Sequence, residues 1–288
     1  MRSTQTSHAK RGFSVTELLI ATAIVSVVMA TAGAFFVASR NFIQQEILRV
    51  ETTQALRATL DNLQRDLRLG GACLTTIASF VALSGTNAGT TDTITTRTAM
   101  VSPSLTCVRT ALSAAVVAGA TTLPVQTNPG FASGMRAYID NGAGSGQYFF
   151  ITQVQTGPLR LQMDTPTSRA YPSASGVYSV DERTYAIDTS NSALPTLTVA
   201  VNGGAAQPFA YGIESFNVQY TLSRNCPPCD VVDLPANNSE WMLVNEVTVS
   251  VTARSRVRGS TGQYYRQTGQ VRLKPRNLLP GSSVLGTS

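Results

Sequence analysis

Lys10-Arg11-Gly12-Phe13-Ser14-Val15-Thr16-Glu17-Leu18-Leu19-Ile20-Ala21 opens an apolar run that continues to Ala38. Residues 13–38 contain a single charge, Glu17, and Arg40 ends the run. As a helix this run is about 39 Å long at ~1.5 Å per residue. That exceeds the ~30 Å hydrocarbon core of a bilayer, so the segment can span one with tilt. Residues 1–12 hold Arg2, Lys10 and Arg11 and no acid. A basic stretch before an apolar one also describes a secretory signal or a signal anchor. Glu17 argues against an ordinary one, because a carboxylate within a membrane costs about 2.5–3.5 kcal/mol and is usually partnered. Cleavage between Gly12 and Phe13 creates a partner, the new α-amino group of Phe13. Within one chain that amine and the Glu17 side chain point differently. Between neighbouring chains in a helical stack they can meet.

Helical character continues beyond the apolar run. Gly33 is the only glycine between Gly12 and Gly70, and no proline precedes Pro103. Leu56, Leu60, Leu63 and Leu67 recur on one face of a helix, and Ile43, Ile47 and Val50 form a similar stripe before them. Gly70-Gly71 is a stop signal. The spacing predicts one helix over 13–69, about 85 Å long, with a membrane half and an amphipathic half. The stripe from Leu56 to Leu67 is expected to face a domain core.

Past Gly71 the period changes to two. Runs at 93–98, 136–140, 148–154, 159–163, 176–180, 196–201, 213–221, 245–253 and 263–273 read as strands. Breakers separate them, among them Asn128-Pro129-Gly130, Asn202-Gly203-Gly204 and Cys226-Pro227-Pro228-Cys229. The fold class is therefore α+β: a long N-terminal helix on an antiparallel β-sheet. The organisation expected is 1–12 leader, 13–40 membrane or filament-core helix, 41–70 amphipathic helix and 71–110 connecting region. An inserted β module over 111–180, a small barrel or sandwich, and a C-terminal β domain over 181–288 complete it.

The residues 10–21 quoted above resemble the leader junction of type IV prepilins and type II secretion pseudopilins. The resemblance implies a prepilin peptidase that cuts after Gly12 and methylates the Phe13 amine. It implies that Glu17 and Phe13 guide assembly with other pilins on an inner-membrane platform. It also implies a single N-terminal membrane helix, an extracytoplasmic C-terminal domain and, after assembly, an extracellular filament. A second match lies near the C-terminus. Gly212-Ile213 with Phe216, Val218 and Tyr220, followed by Val244 to Ser255, resembles PilW-type minor pilins and J-type minor pseudopilins, in which these two strands pair.

Composition narrows the chemistry. The only histidine, His8, lies in the leader, and the chain has two lysines, Lys10 and Lys274. Histidine-based catalysis, histidine-liganded metals and a histidine pH switch are thereby excluded from a mature chain. Charged residues make up 13% of the chain, below the ~25% usual for soluble domains. No paired-acid motif marks a carboxylate enzyme, so a non-enzymatic role is expected.

An exported domain favours disulfides. Cys73, Cys107, Cys226 and Cys229 allow three pairings. Cys226 and Cys229 are near enough to pair across Pro227-Pro228, which leaves Cys73 for Cys107. A redox CxxC pair is disfavoured by the acidic loop that follows.

From Arg254 onward there are seven basic residues and no acid: Arg254, Arg256, Arg258, Arg266, Arg272, Lys274 and Arg276. With Tyr264 and Tyr265 they have the composition of a DNA-binding surface. The alternation of the first three places them on one strand face, which also suits a solvated face or contacts with acidic neighbours. Asp230, Asp233, Asn237, Asn238 and Glu240 make an oxygen-rich loop at 230–240, open to calcium although it has no EF-hand spacing. No cofactor is otherwise expected. The sequence thus points to a minor pilin, with a DNA-binding transformation pilin and a type II secretion pseudopilin as alternatives.

Overall fold

The computed structural model describes residues 14–74, 80–101, 106–142, 145–260 and 262–275. Gly12, Phe13 and Arg276 lie outside these residues. Helix α1 runs over Val15–Leu69 without a break. Ser14 caps it: Ser14 Oγ accepts from the Thr16 amide at 3.3 Å, and the Ser14 amide donates to Glu17 Oε2 at 3.0 Å. This reciprocal box satisfies donors that the first helical turn leaves open. At the other end Gly71 takes φ 77°, the left-handed backbone that glycine adopts without cost, and its amide donates to Arg97 O.

The strands follow in chain order. They begin with β1 (Leu83–Thr86), β2 (Thr93–Thr98), β3 (Met100–Val101), β4 (Thr106–Cys107), β5 (Arg109–Ala111) and β6 (Thr122–Pro124). Next come β7 (Arg136–Asp140), β8 (Gly146–Gln155), β9 (Arg160–Met163), β10 (Gly176–Ser179), β11 (Asp181–Asp188) and β12 (Thr196–Val201). The chain continues with β13 (Gln207–Tyr211), β14 (Ile213–Leu222), β15 (Asp230–Val232), the short helix α2 (Asn238–Met242), β16 (Val244–Arg258) and β17 (Tyr264–Leu273).

Among the described residues these strands form three larger sheets and the two-stranded β3–β4 sheet. A four-stranded sheet has the order β15-β14-β16-β17, and a five-stranded sheet the order β1-β2-β11-β12-β13. Both are antiparallel, and both supply side chains to one core beneath the distal half of α1. The third sheet has the order β5-β10-β7-β8-β9-β6. Its first and last strands meet through the Leu112–Val125 bridge, which closes it into a small barrel with its own apolar interior.

The four-stranded sheet shows why the fold forms. Phe216, Val218, Tyr220 and Leu222 alternate on β14, and Val247, Val249, Val251 and Ala253 alternate on β16, all fully or nearly fully buried. The register pairs Phe216 with Val251, Val218 with Val249 and Tyr220 with Val247, so the two apolar sets share one face. Leu56, Leu63 and Leu67 of α1 cover that face, and each large apolar side chain buried contributes about 1.5–3 kcal/mol. The Tyr220 ring stands edge-on to Trp241 at 4.8 Å.

Gly269 on β17 sets the approach of helix to sheet. A Cβ there would lie 2.8 Å from Leu60 Cδ1 and 3.0 Å from Leu56 Cδ2. Gly269→Val is therefore expected to push β17 off the helix, at a cost of about 1–3 kcal/mol in chemical unfolding. Unchanged stability would show that the leucines yield freely.

The sheets add detail to the expected outline. Residues 71–110 contribute β1 and β2 to the five-stranded sheet, and residues 181–211 contribute β11, β12 and β13 to it, while 213–273 form the four-stranded one. The earlier apolar stripe also differs from the later one. Ile43, Ile47 and Val50 are exposed, and burial begins at Leu48.

Candidate functional site

The proximal half of α1 is the most distinctive surface. Val15, Leu18, Leu19, Ile20, Ile24, Val25, Val27, Val28 and Met29 are all at least half exposed, and Phe35 reaches 77%. One end of this helix is long and apolar enough to cross a membrane. Its polar side chains are satisfied internally. Thr22 Oγ1 donates to Leu19 O at 3.0 Å, Ser26 Oγ to Thr22 O at 2.7 Å, and Thr31 Oγ1 to Val27 O and Val28 O. Only apolar surface is then left for a lipid or protein neighbour, which is the condition for a spanning segment. Glu17 is the exception. One of its oxygens accepts from the Ser14 amide, and the side chain is otherwise exposed at the helix start.

Residues 7–33 match the prokaryotic N-terminal methylation motif. The motif supports a type IV pilin or pseudopilin, a family whose members are structural rather than enzymatic. It suggests processing by a prepilin peptidase and assembly with other pilins. Together with the apolar proximal half of α1, it is consistent with a membrane-anchored subunit. The search of curated proteins finds no match to the chain.

The arginine face is organised by internal partners. Arg266 holds Glu214 in a two-pronged pair, with Nε to Oε2 at 2.6 Å and Nη2 to Oε1 at 3.0 Å. Arg254 Nη1 adds a contact to Glu214 at 3.5 Å, and Arg254 also donates to Ser192 O. The Arg266 guanidinium holds the Glu214 carboxyl below the usual range. Arg254 and Arg258 rest on the Tyr264 ring at 4.4 and 5.0 Å, whereas Arg256 rests on Tyr211 at 5.4 Å. The register shifts between Arg254 and Arg258. The three arginines expected on one face are thus divided between two tyrosines, and the plain alternation stops at the irregularity. Tyr265 hydrogen-bonds Gln267, while Arg272 and Lys274 are exposed.

Sulfur–sulfur bonds join Cys73 to Cys107 and Cys226 to Cys229. In the 230–240 loop, Arg224 lies between two acids: Nε is 2.6 Å from Asp230 and Nη1 is 2.5 Å from Glu240. Asp233 accepts from Gln219, and Asn237 caps α2 by accepting from the Glu240 amide. Asp230 and Glu240 therefore answer a guanidinium already in place. Among the described residues no group of three His, Cys, Asp or Glu side chains is set to hold a metal.

Sequence reasoning missed two junctions. Glu182 on β11 binds Arg97 of β2 at 2.5 Å and Arg136 of β7 at 2.6 Å, tying the barrel to the five-stranded sheet. Tyr148 lies against both guanidinium groups, and burial pushes its hydroxyl up to about 12. Asp66 of α1 accepts from Arg183 at 2.9 Å and from the Tyr185 hydroxyl, tying the helix to β11. No spacing in the sequence signals either cluster, because their members lie far apart along the chain.

Proposed function

We propose that the chain is a minor pilin of the PilW type, a non-catalytic subunit that helps prime, cap or extend a type IV filament. The observation that carries this reading is one unbroken helix with two different halves. The proximal half exposes apolar surface and one carboxylate, and the distal half buries one face, Leu48 to Leu67, against two sheets. In the membrane the proximal half is solvated by lipid. In a filament it packs against the same halves of neighbouring pilins, and the globular domain faces outward to meet motility, adhesion or uptake partners. Prepilin peptidase cuts after Gly12 and methylates Phe13, and an inner-membrane platform then inserts the subunit.

Glu17 couples the two states. In the isolated chain its carboxylate caps its own helix. In a filament it meets the Phe13 amine of a neighbour. An unpaired buried charge costs about 3–5 kcal/mol. Glu17→Ala is therefore expected to give a cleaved, stable protein that falls by roughly a hundredfold in sheared filaments. Mass spectrometry of the membrane fraction checks the processing: the mature chain should begin with N-methylated Phe13. A chain that keeps Met1, or normal filament levels of the Glu17 variant, removes this mechanism. Recovery with secreted substrates instead of sheared pili would make the subunit a pseudopilin of a type II secretion system.

A further inference from the structure

The hairpin between β16 and β17 runs back along α1 toward the membrane half. Thr53 donates to Gln267 at 3.2 Å, Gly269 abuts Leu56, and Gln45 Nε2 donates to Ser260 Oγ at 2.6 Å. The tip therefore sits at the level of Gln45 to Leu48, where burial of α1 begins. Gln45 lies about 10 Å along the axis beyond Ala38, the end of the apolar run. A headgroup layer extends ~5–7 Å beyond the hydrocarbon. The apolar run is longer than the bilayer core and Phe42 and Ile43 are exposed beyond it, so the helix can sit deeper still.

Near this level the charge is mainly positive. Arg40 and Arg49 of α1 and Arg258 of the tip are exposed, and exposed Arg256 lies a step farther up the strand beside Glu51 and Ala55, with Glu46 and Glu51 as the nearby acids. Glu46 lies 3.9 Å from Arg49. Val257, between the two tip arginines, is 60% exposed. Stacking on Tyr211 and Tyr264 braces Arg256 and Arg258 while their side chains stay exposed. An apolar wedge flanked by braced arginines suits an anionic lipid surface.

We propose that the β16–β17 tip docks on anionic phospholipid headgroups of the membrane that α1 spans, with Val257 at the surface and Arg256 and Arg258 on phosphates. The docked domain is held against the bilayer until the subunit leaves for the filament. This inference rests on the membrane-anchored reading, and its test separates the two. All four native cysteines are in disulfides, so Val257→Cys offers a unique thiol for a spin label. The labelled full chain is placed in nanodiscs of phosphatidylcholine with or without phosphatidylglycerol. Val28→Cys reports the inserted helix. Val231→Cys, exposed at the opposite end of the sheet, reports water.

With phosphatidylglycerol the Val257 label is expected at headgroup depth, shielded from a water-soluble relaxing agent. In Arg256→Glu/Arg258→Glu, or at high salt, the docked population falls by roughly tenfold or more. Equal water exposure in both lipids while the Val28 label sits in hydrocarbon overturns the docking and leaves the anchored reading intact. A water-exposed Val28 label overturns both. Shielding of Val257 by added duplex DNA in neutral discs, without any effect of phosphatidylglycerol, assigns the tip to nucleic acid and overturns the lipid proposal.

Discussion

Glu182→Ala should lower the stability of the folded domain by about 3 kcal/mol, near the lower end of the range for breaking a buried ion pair. Among the described residues its carboxylate is the one acid paired with Arg97 and Arg136, and its side chain is only 8% exposed. Without it, two guanidinium groups remain in a junction built of Phe80, Tyr138 and Tyr148. Each arginine keeps a partial outlet. Arg97 donates to Val81 O at 3.1 Å, and the Arg97 and Arg136 side chains keep 16% and 19% of their surface exposed to water, so the cost stays near 3 kcal/mol. Glu182→Gln should recover only part of the loss, because an amide accepts on one side and donates toward a cation on the other. Replacing the whole cluster (Arg97→Met, Arg136→Met, Glu182→Leu) should be much milder than Glu182→Ala alone. Urea midpoints of the detergent-solubilised chain compare the three. If Glu182→Ala stays within about 1 kcal/mol of the native chain, the cluster is not what holds barrel and sheet together.

These clusters mark the boundary of what the sequence made legible. The helix over Val15–Leu69 followed from an absence of breakers and a leucine stripe, both local properties. Strands β14 and β16 followed from period-two alternation, because one of their faces is buried and the other wet. Strand β11 was not readable. Its Asp-Glu-Arg opening looks like a loop, yet Glu182 and Arg183 find partners 46 to 117 residues away. Charges in a central strand are tolerated only when tertiary structure supplies those partners. The arginines after Ala253 were visible as composition. Their division between Tyr264, Tyr211 and Glu214 depends on register and on an irregularity in β16, which composition does not encode. Glu17 was legible because a lone acid in an apolar helix conflicts with its surroundings, and that conflict is itself the signal.

Removing the Cys73–Cys107 bond should cost about 4 kcal/mol, whereas removing Cys226–Cys229 should cost less than half of that, about 1.6 kcal/mol. The difference comes from loop length. The first bond closes 34 residues of chain and the second closes 3, so the first removes far more freedom from the unfolded ensemble. Position adds to it. Cys73 follows the end of α1, and Cys107 on β4 stands just before β5, the first strand of the barrel. The bond therefore links the helix end to the start of the barrel, around β1 and β2. Cys73 takes φ 65°, a left-handed backbone that a residue with a Cβ adopts at a cost. The bond and the Ala72 amide, donating to Leu69 O, hold the chain there. Two double variants separate the bonds: Cys73→Ser/Cys107→Ser and Cys226→Ser/Cys229→Ser. Urea midpoints under oxidising conditions should fall sharply for the first and by less than half as much for the second. Adding a thiol reductant to the native chain should reproduce the first variant. Equal losses in the two variants would mean that native-state contacts, not the constraint on the unfolded chain, set the value of these bonds.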